Sequence, residues 1–138
     1  MGELKSSKPL AAVFFAGGIW DLFAAVVYAF LIGTVYTDPP VHRFYALFIA
    51  SFLLCFACLQ LLSACSIRRY LLVIGCVTIG RVLYVILLSA FILGVPAFPD
   101  TFWWTGLIDL LLSVLNILLA VSCGVRIRDL FLPARDGS

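Results

Sequence analysis

The 138-residue chain is 64% hydrophobic and only 12% charged, with a net charge of +2 and a mean hydropathy of +1.19. Soluble domains run at about 45–50% apolar and about 25% charged, and a core this small cannot hide so much apolar side chain. A soluble globular enzyme is therefore not expected, and a disordered chain, a collagen and a nucleic-acid binder are excluded, the last because there is no basic run; an integral membrane protein remains.

A bilayer core about 30 Å thick is crossed by roughly 20 apolar residues of helix. The first such stretch covers about residues 10–33. It is longer than the h-region of a signal peptide and carries an acid, Asp21, at its middle. Gly17, Gly18, Asp21, Ala24, Ala25 and Tyr28 share one helical stripe. Small and weakly polar residues at i, i+3, i+4 and i+7 mark packed helix–helix faces in membranes. The connection that follows, TVYTDPPVHR, holds Asp38 and His42. These two are candidates for a metal or proton site at the outer face, against the plainer expectation of a solvated loop. His42 is the only histidine, so a bis-histidine haem within one chain and a His-rich zinc site are ruled out.

The second stretch covers about residues 44–65. Ser51, Cys55, Cys58 and Cys65 form its expected inner stripe, with Gln60 on the flank, facing a partner chain or snorkelling toward the near helix end. The third stretch, about 70–93, contains Arg81. The fourth, about 102–124, carries Thr105, Gly106, Asp109, Ser113, Asn116 and Ala120 on one stripe. The connections SIRR and GVPAFPDT are short, so neighbouring helices are antiparallel; the prolines at 39, 40, 96 and 99 stop helices. The four stretches lack strict alternation, which excludes a transmembrane β-barrel. The expected architecture is all-α: one domain over residues 1–138, an antiparallel four-transmembrane-helix bundle.

Orientation follows from the basic residues. Lys5, Lys8, Arg68, Arg69, Arg126, Arg128 and Arg135 fall on one side, and Arg43 alone on the other. That asymmetry places both termini in the cytoplasm, in an inner or plasma membrane. Phe98, Phe102, Trp103 and Trp104 read as an aromatic belt at the outer interface. Arg126 and Arg128, with Leu130, Phe131 and Leu132, read as a tail along the inner surface.

Three charges lie inside the stretches. A charge at the bilayer centre costs about 2.5–3.5 kcal/mol on insertion scales, and such residues face the bundle interior and pair. Asp21 lies eleven residues past Leu10, and Arg81 eleven past Tyr70. At 1.5 Å per residue both are about 16 Å deep, hence level. Asp109 lies seven residues in from the opposite end, about 10 Å below it, one turn outward of Arg81. The expectation is a buried Asp21–Arg81–Asp109 cluster, with Tyr28 and Asn116 on the same inner faces. Its formal charge is −1, which in low dielectric favours a proton held or shared by one carboxylate. The cluster either locks the helices in register or serves as a proton, ion or head-group site; intramembrane ionisable groups favour the second.

Gly18 to Tyr28 and Gly106 to Asn116 match at Gly, Asp, Leu and Val. A two-plus-two duplication would pair helix one with helix three, so shared small-residue packing explains this match better than an inverted transporter repeat. All five cysteines, at 55, 58, 65, 76 and 123, lie within the stretches. Cys55-Phe-Ala-Cys58 has redox-motif spacing. Quinone-linked disulfide-forming membrane proteins, however, use cysteines near the outer surface, so small packing residues are the expectation here. No phosphate loop and no Ser/His/Asp set is visible, so a conventional enzyme is not expected, and no cofactor is specified.

Gly80-Arg81, then Gly94-Val95-Pro96, then Asp109, together resemble small DoxX-like four-helix membrane families. The resemblance spans the second half of the chain and implies a four-helix bundle, sometimes associated with redox or respiratory membrane systems. Similarity to small multidrug-resistance transporters is weaker, since their helix-one acid is a Glu and their charge bias is small. The leading expectation is an accessory subunit, or a binder of a small lipid- or quinone-like ligand. Its partners would be the bilayer and either a membrane protein or further copies of itself. The alternatives are a small proton-coupled transporter acting as an oligomer and a thiol/quinone membrane oxidoreductase.

Overall fold

The computed structural model describes residues 7–32, 43–95 and 101–132. Asp38 and His42 lie outside them. Among the described residues every regular element is helical. Helix α1 is Lys8–Val26, with Pro9 in its first turn, where the missing N–H costs nothing. It runs on into a π-helical turn, Val27–Leu31. Helix α2 is Arg43–Cys65, α3 is Leu71–Gly94 and α4 is Thr101–Ser122. A short 3₁₀ turn, Ile127–Leu130, follows. The bounds match the expected stretches closely, and all four helices are long and apolar enough to cross a membrane.

The turn joining α2 to α3 closes on backbone bonds from Ser66 N–H to Ser63 (3.2 Å), Arg69 N–H to Ser66 (3.1 Å) and Tyr70 N–H to Ile67 (3.2 Å). Helix α4 stops at Gly124, which takes the left-handed φ of 83°. There the Val125 N–H reaches the Ala120 carbonyl (3.0 Å) and the Gly124 N–H the Val121 carbonyl (2.9 Å). This is the Schellman arrangement, and Val125 packs in the same apolar cluster as Ala120.

The helices form a ring in chain order, with α1 and α3 on one diagonal. Small residues set the approaches. A side chain at Gly18 would meet Leu61 (2.8 Å) and the Ala57 carbonyl (3.2 Å), so α1 and α2 pack backbone to backbone. Gly106 of α4 admits Leu88 of α3, and Gly80 of α3 admits the ring of Phe56 at 3.1 Å.

Along its axis the bundle has three storeys. At the end bearing Lys8, Arg68 and Arg126 lies a dry core of Leu10, Phe14, Ile67, Ile74, Val77, Ala120, Cys123, Val125 and Leu130. Charged and amide side chains occupy the middle. At the other end, which carries Trp103 and Trp104, α2 and α3 leave a cavity between them. Leu130 of the C-terminal turn is buried against Gly75 of α3, where a Cβ would collide with the Leu130 carbonyl. The tail therefore docks into the bundle through Leu130, while Ile127, Phe131 and Leu132 stay exposed.

The side-chain distribution is inverted relative to a water-soluble bundle. Asp21, Gln60, Ser63, Thr78, Arg81, Asp109, Ser113 and Asn116 are buried, while large apolar side chains cover the outside of every helix. The buried hydroxyls are satisfied within their own helices: Ser63 to Leu59 (2.7 Å), Thr78 to Ile74 (2.8 Å) and Ser113 to Asp109 (2.7 Å).

Candidate functional site

Arg81 stands at mid-length of α3, flanked by Gly80, and its guanidinium crosses the bundle axis. Nη2 donates to Asp21 Oδ2 (2.9 Å), to Gln60 Oε1 (3.1 Å) and to the Gly17 carbonyl (3.3 Å). Nη1 forms an ion pair with Asp109 Oδ1. The expected cluster is therefore assembled, and one planar fork serves carboxylates from two other helices. A side chain at Gly17 would collide with Gln60, so this glycine makes room for the network.

Gln60 is a member that the sequence reading placed elsewhere. It neither flanks the bundle nor snorkels. It is 1% exposed, and its Nε2 donates to Asp21 Oδ2 and to the Phe56 carbonyl (3.3 Å). The expected inner stripe of α2 is corrected with it. Ser51, Cys55, Cys58 and Cys65 are exposed, and the inner face is Ala46, Ala50, Ala57, Gln60 and Ser63. Cys76 is exposed as well, so only Cys123 packs inside.

The cluster forms one end of a cavity of about 520 Å³. Asp21, Arg81 and Asp109 supply its polar floor. Trp20, Tyr28, Phe48, Phe52, Phe56 and Tyr84 supply aromatic walls, and Ala24, Gly80 and Thr105 leave the space open. Phe48 and Phe52 pack edge to face with centroids 4.8 Å apart. The Tyr84 and Thr105 hydroxyls hydrogen-bond at 2.9 Å, tying α3 to α4 beside the floor. Phe48, Phe52 and Tyr84 are also exposed, which puts the mouth between α2 and α3.

The remaining candidates separate cleanly. Tyr28 lines the cavity, on the π-helical turn. Such turns often accompany functional sites. Asn116 is buried but lies two turns from Asp109 toward the dry core, outside the cavity lining, with Oδ1 unbonded. Trp103 and Trp104 are exposed at the start of α4, away from the cavity lining. Among the described residues no three His, Cys, Asp or Glu side chains gather to hold a metal. The α2 aromatic wall did have a sequence signal: Phe44, Phe48, Phe52 and Phe56 recur every fourth residue.

No family model, curated protein or solved structure matches this chain.

Proposed function

We propose that the chain is an integral membrane protein, with both ends on the cytoplasmic side, that binds a small lipid-like amphiphile as a receptor or accessory component. The inverted side-chain distribution and the basic-residue asymmetry support the membrane placement. The observation that carries the binding reading is the cavity of about 520 Å³, walled by aromatic rings and floored by Asp21, Arg81 and Asp109. Ligand pockets of about 300–1,000 Å³ are mostly apolar, with a few convergent polar groups that orient the guest. In this reading the ligand enters sideways between α2 and α3, buries its body among the rings and sets its head on the floor.

Two features favour binding over transport or thiol chemistry. The cavity serves one end of the bundle only, while Leu10, Phe14, Ile74 and Val77 close the other. Cys55 and Cys58 lie outside the cavity lining on the exposed face of α2, so a thiol reaction has no pocket there.

The test is native mass spectrometry of the detergent-extracted protein beside its Ala24→Trp variant. Ala24 lines the cavity, so an indole there fills it while sparing the cluster. A co-purifying small molecule in the parent that is absent from the variant supports the reading. A ligand-free parent that also takes up no added amphiphile overturns it.

A further inference from the structure

The floor of the cavity is polarised in a way that selects among amphiphiles. Asp21 engages the cluster through Oδ2 alone, and Asp109 through Oδ1 alone. The second oxygen of each carboxylate has no hydrogen-bond partner among the described residues. Both carboxylate residues line the cavity. Arg81 Nε is sealed and makes no hydrogen bond, while Arg81 Nη1 meets Asp109 through the ion pair alone. The cluster therefore presents two carboxylates and a single guanidinium to the cavity that these residues line.

Charge points the same way. One guanidinium faces two carboxylates, and the α2 contribution, Gln60, is neutral. The excess of one negative charge lies in a poorly hydrated site, where uncompensated charge is costly. Around it stand Trp20, Tyr28, Phe48, Phe52, Phe56 and Tyr84. Aromatic faces attract a cation, by about 0.5–1 kcal/mol when exposed and about 2 when desolvated.

We infer that the cavity takes a lipophilic monocation, a protonated amine on an apolar aromatic or alkyl body, whose ammonium is seated between Asp21 and Asp109. This rests on the ligand-binding reading above and names the chemical class for the same site. Two carboxylates around one ammonium complete a charge balance that Arg81 leaves short.

The test is equilibrium dialysis of the purified full chain in neutral detergent micelles, with protein-free micelles as blank. Three probes are compared: phenylbutylammonium, its uncharged isostere phenylbutanol, and naphthoquinone. The ammonium is expected to bind at least tenfold more tightly than either neutral probe. Asp21→Asn and Asp109→Asn should each remove that preference, and Ala24→Trp should abolish binding of every probe. A preference below tenfold for the ammonium, or one that survives in both Asn variants, overturns the cation assignment while leaving ligand binding intact. Failure of all three probes to bind overturns the ligand-binding reading itself. The comparison of probes on the unaltered chain decides the outcome even where an Asn variant does not fold.

Discussion

Arg81 Nη2 lies 2.9 Å from Asp21 Oδ2 across one diagonal of the bundle, joining α1 and α3, which are not neighbours in the ring. The same guanidinium pairs with Asp109 of α4. One side chain thus ties three helices to one another, and Gln60 brings in the fourth.

Removing the guanidinium strands two carboxylates in a buried site. Breaking one side of a buried ion pair costs about 3–5 kcal/mol. Arg81→Ala is therefore expected to lower the unfolding temperature sharply in detergent, followed by circular dichroism. Arg81→Lys should recover only part of the loss, because a single ammonium cannot present a fork to Asp21 and Asp109 together. Equal stability of Arg81→Ala and the parent would show that the cluster does not hold the bundle.

Gln60 tests the network from the α2 side. Gln60→Leu leaves Asp21 Oδ2 without its amide donor and is expected to cost about 1–3 kcal/mol. Gln60→Glu adds a third carboxylate beside one guanidinium and should be worse than Leu. Denaturant titration of the parent and the two variants reads the order; Leu as stable as the parent would mean that Gln60 Nε2 adds little to Asp21, and Glu no worse than Leu that a third carboxylate there is not penalised.

Much of this site was legible in the chain. The α1 and α4 stripes stand out because Asp, Asn, Gly and Ser recur on one face against Leu and Phe elsewhere. Equal depth of Asp21 and Arg81 followed from residue counting alone. Helix α2 hid its inner face, since Ser and Cys side chains are as compatible with lipid as with packing. The face that won holds alanines at 46, 50 and 57 with Gln60, where smallness admits α1. Alanine gave no polarity contrast to read. The cavity depends on how far α2 stands from α3, a distance that no periodicity encodes.

The C-terminal turn offers a separate check. A methyl at Gly75 meets backbone at Leu130, which cannot rotate away as a side chain can. Gly75→Ala is expected to destabilise by about 1–3 kcal/mol, chiefly by expelling the Ile127–Leu130 turn. Trypsin cleavage after Arg126 and Arg128 should then accelerate, with the helices intact. Unchanged cleavage would place the tail elsewhere.

Topology can be read chemically. In a cysteine-free background, Arg68→Cys is expected to react with a membrane-impermeant maleimide only when the cytoplasmic side is open. Trp104→Cys, on a residue 70% exposed, should react from the outside of intact cells. The reverse pattern would invert the orientation.

Chain order gives the Asp21–Gln60 hydrogen bond a further meaning. Synthesis delivers α1 and α2 before Arg81 exists. The α3–α4 hairpin carries its own neutral Arg81–Asp109 pair, whereas the first hairpin carries an acid and no base at that depth. Within that first hairpin, Gln60 is the side chain that donates to Asp21. The α1–α2 hairpin thus carries an internal polar partner for its acid, and the α3–α4 hairpin carries one for its own, before the two halves share the guanidinium.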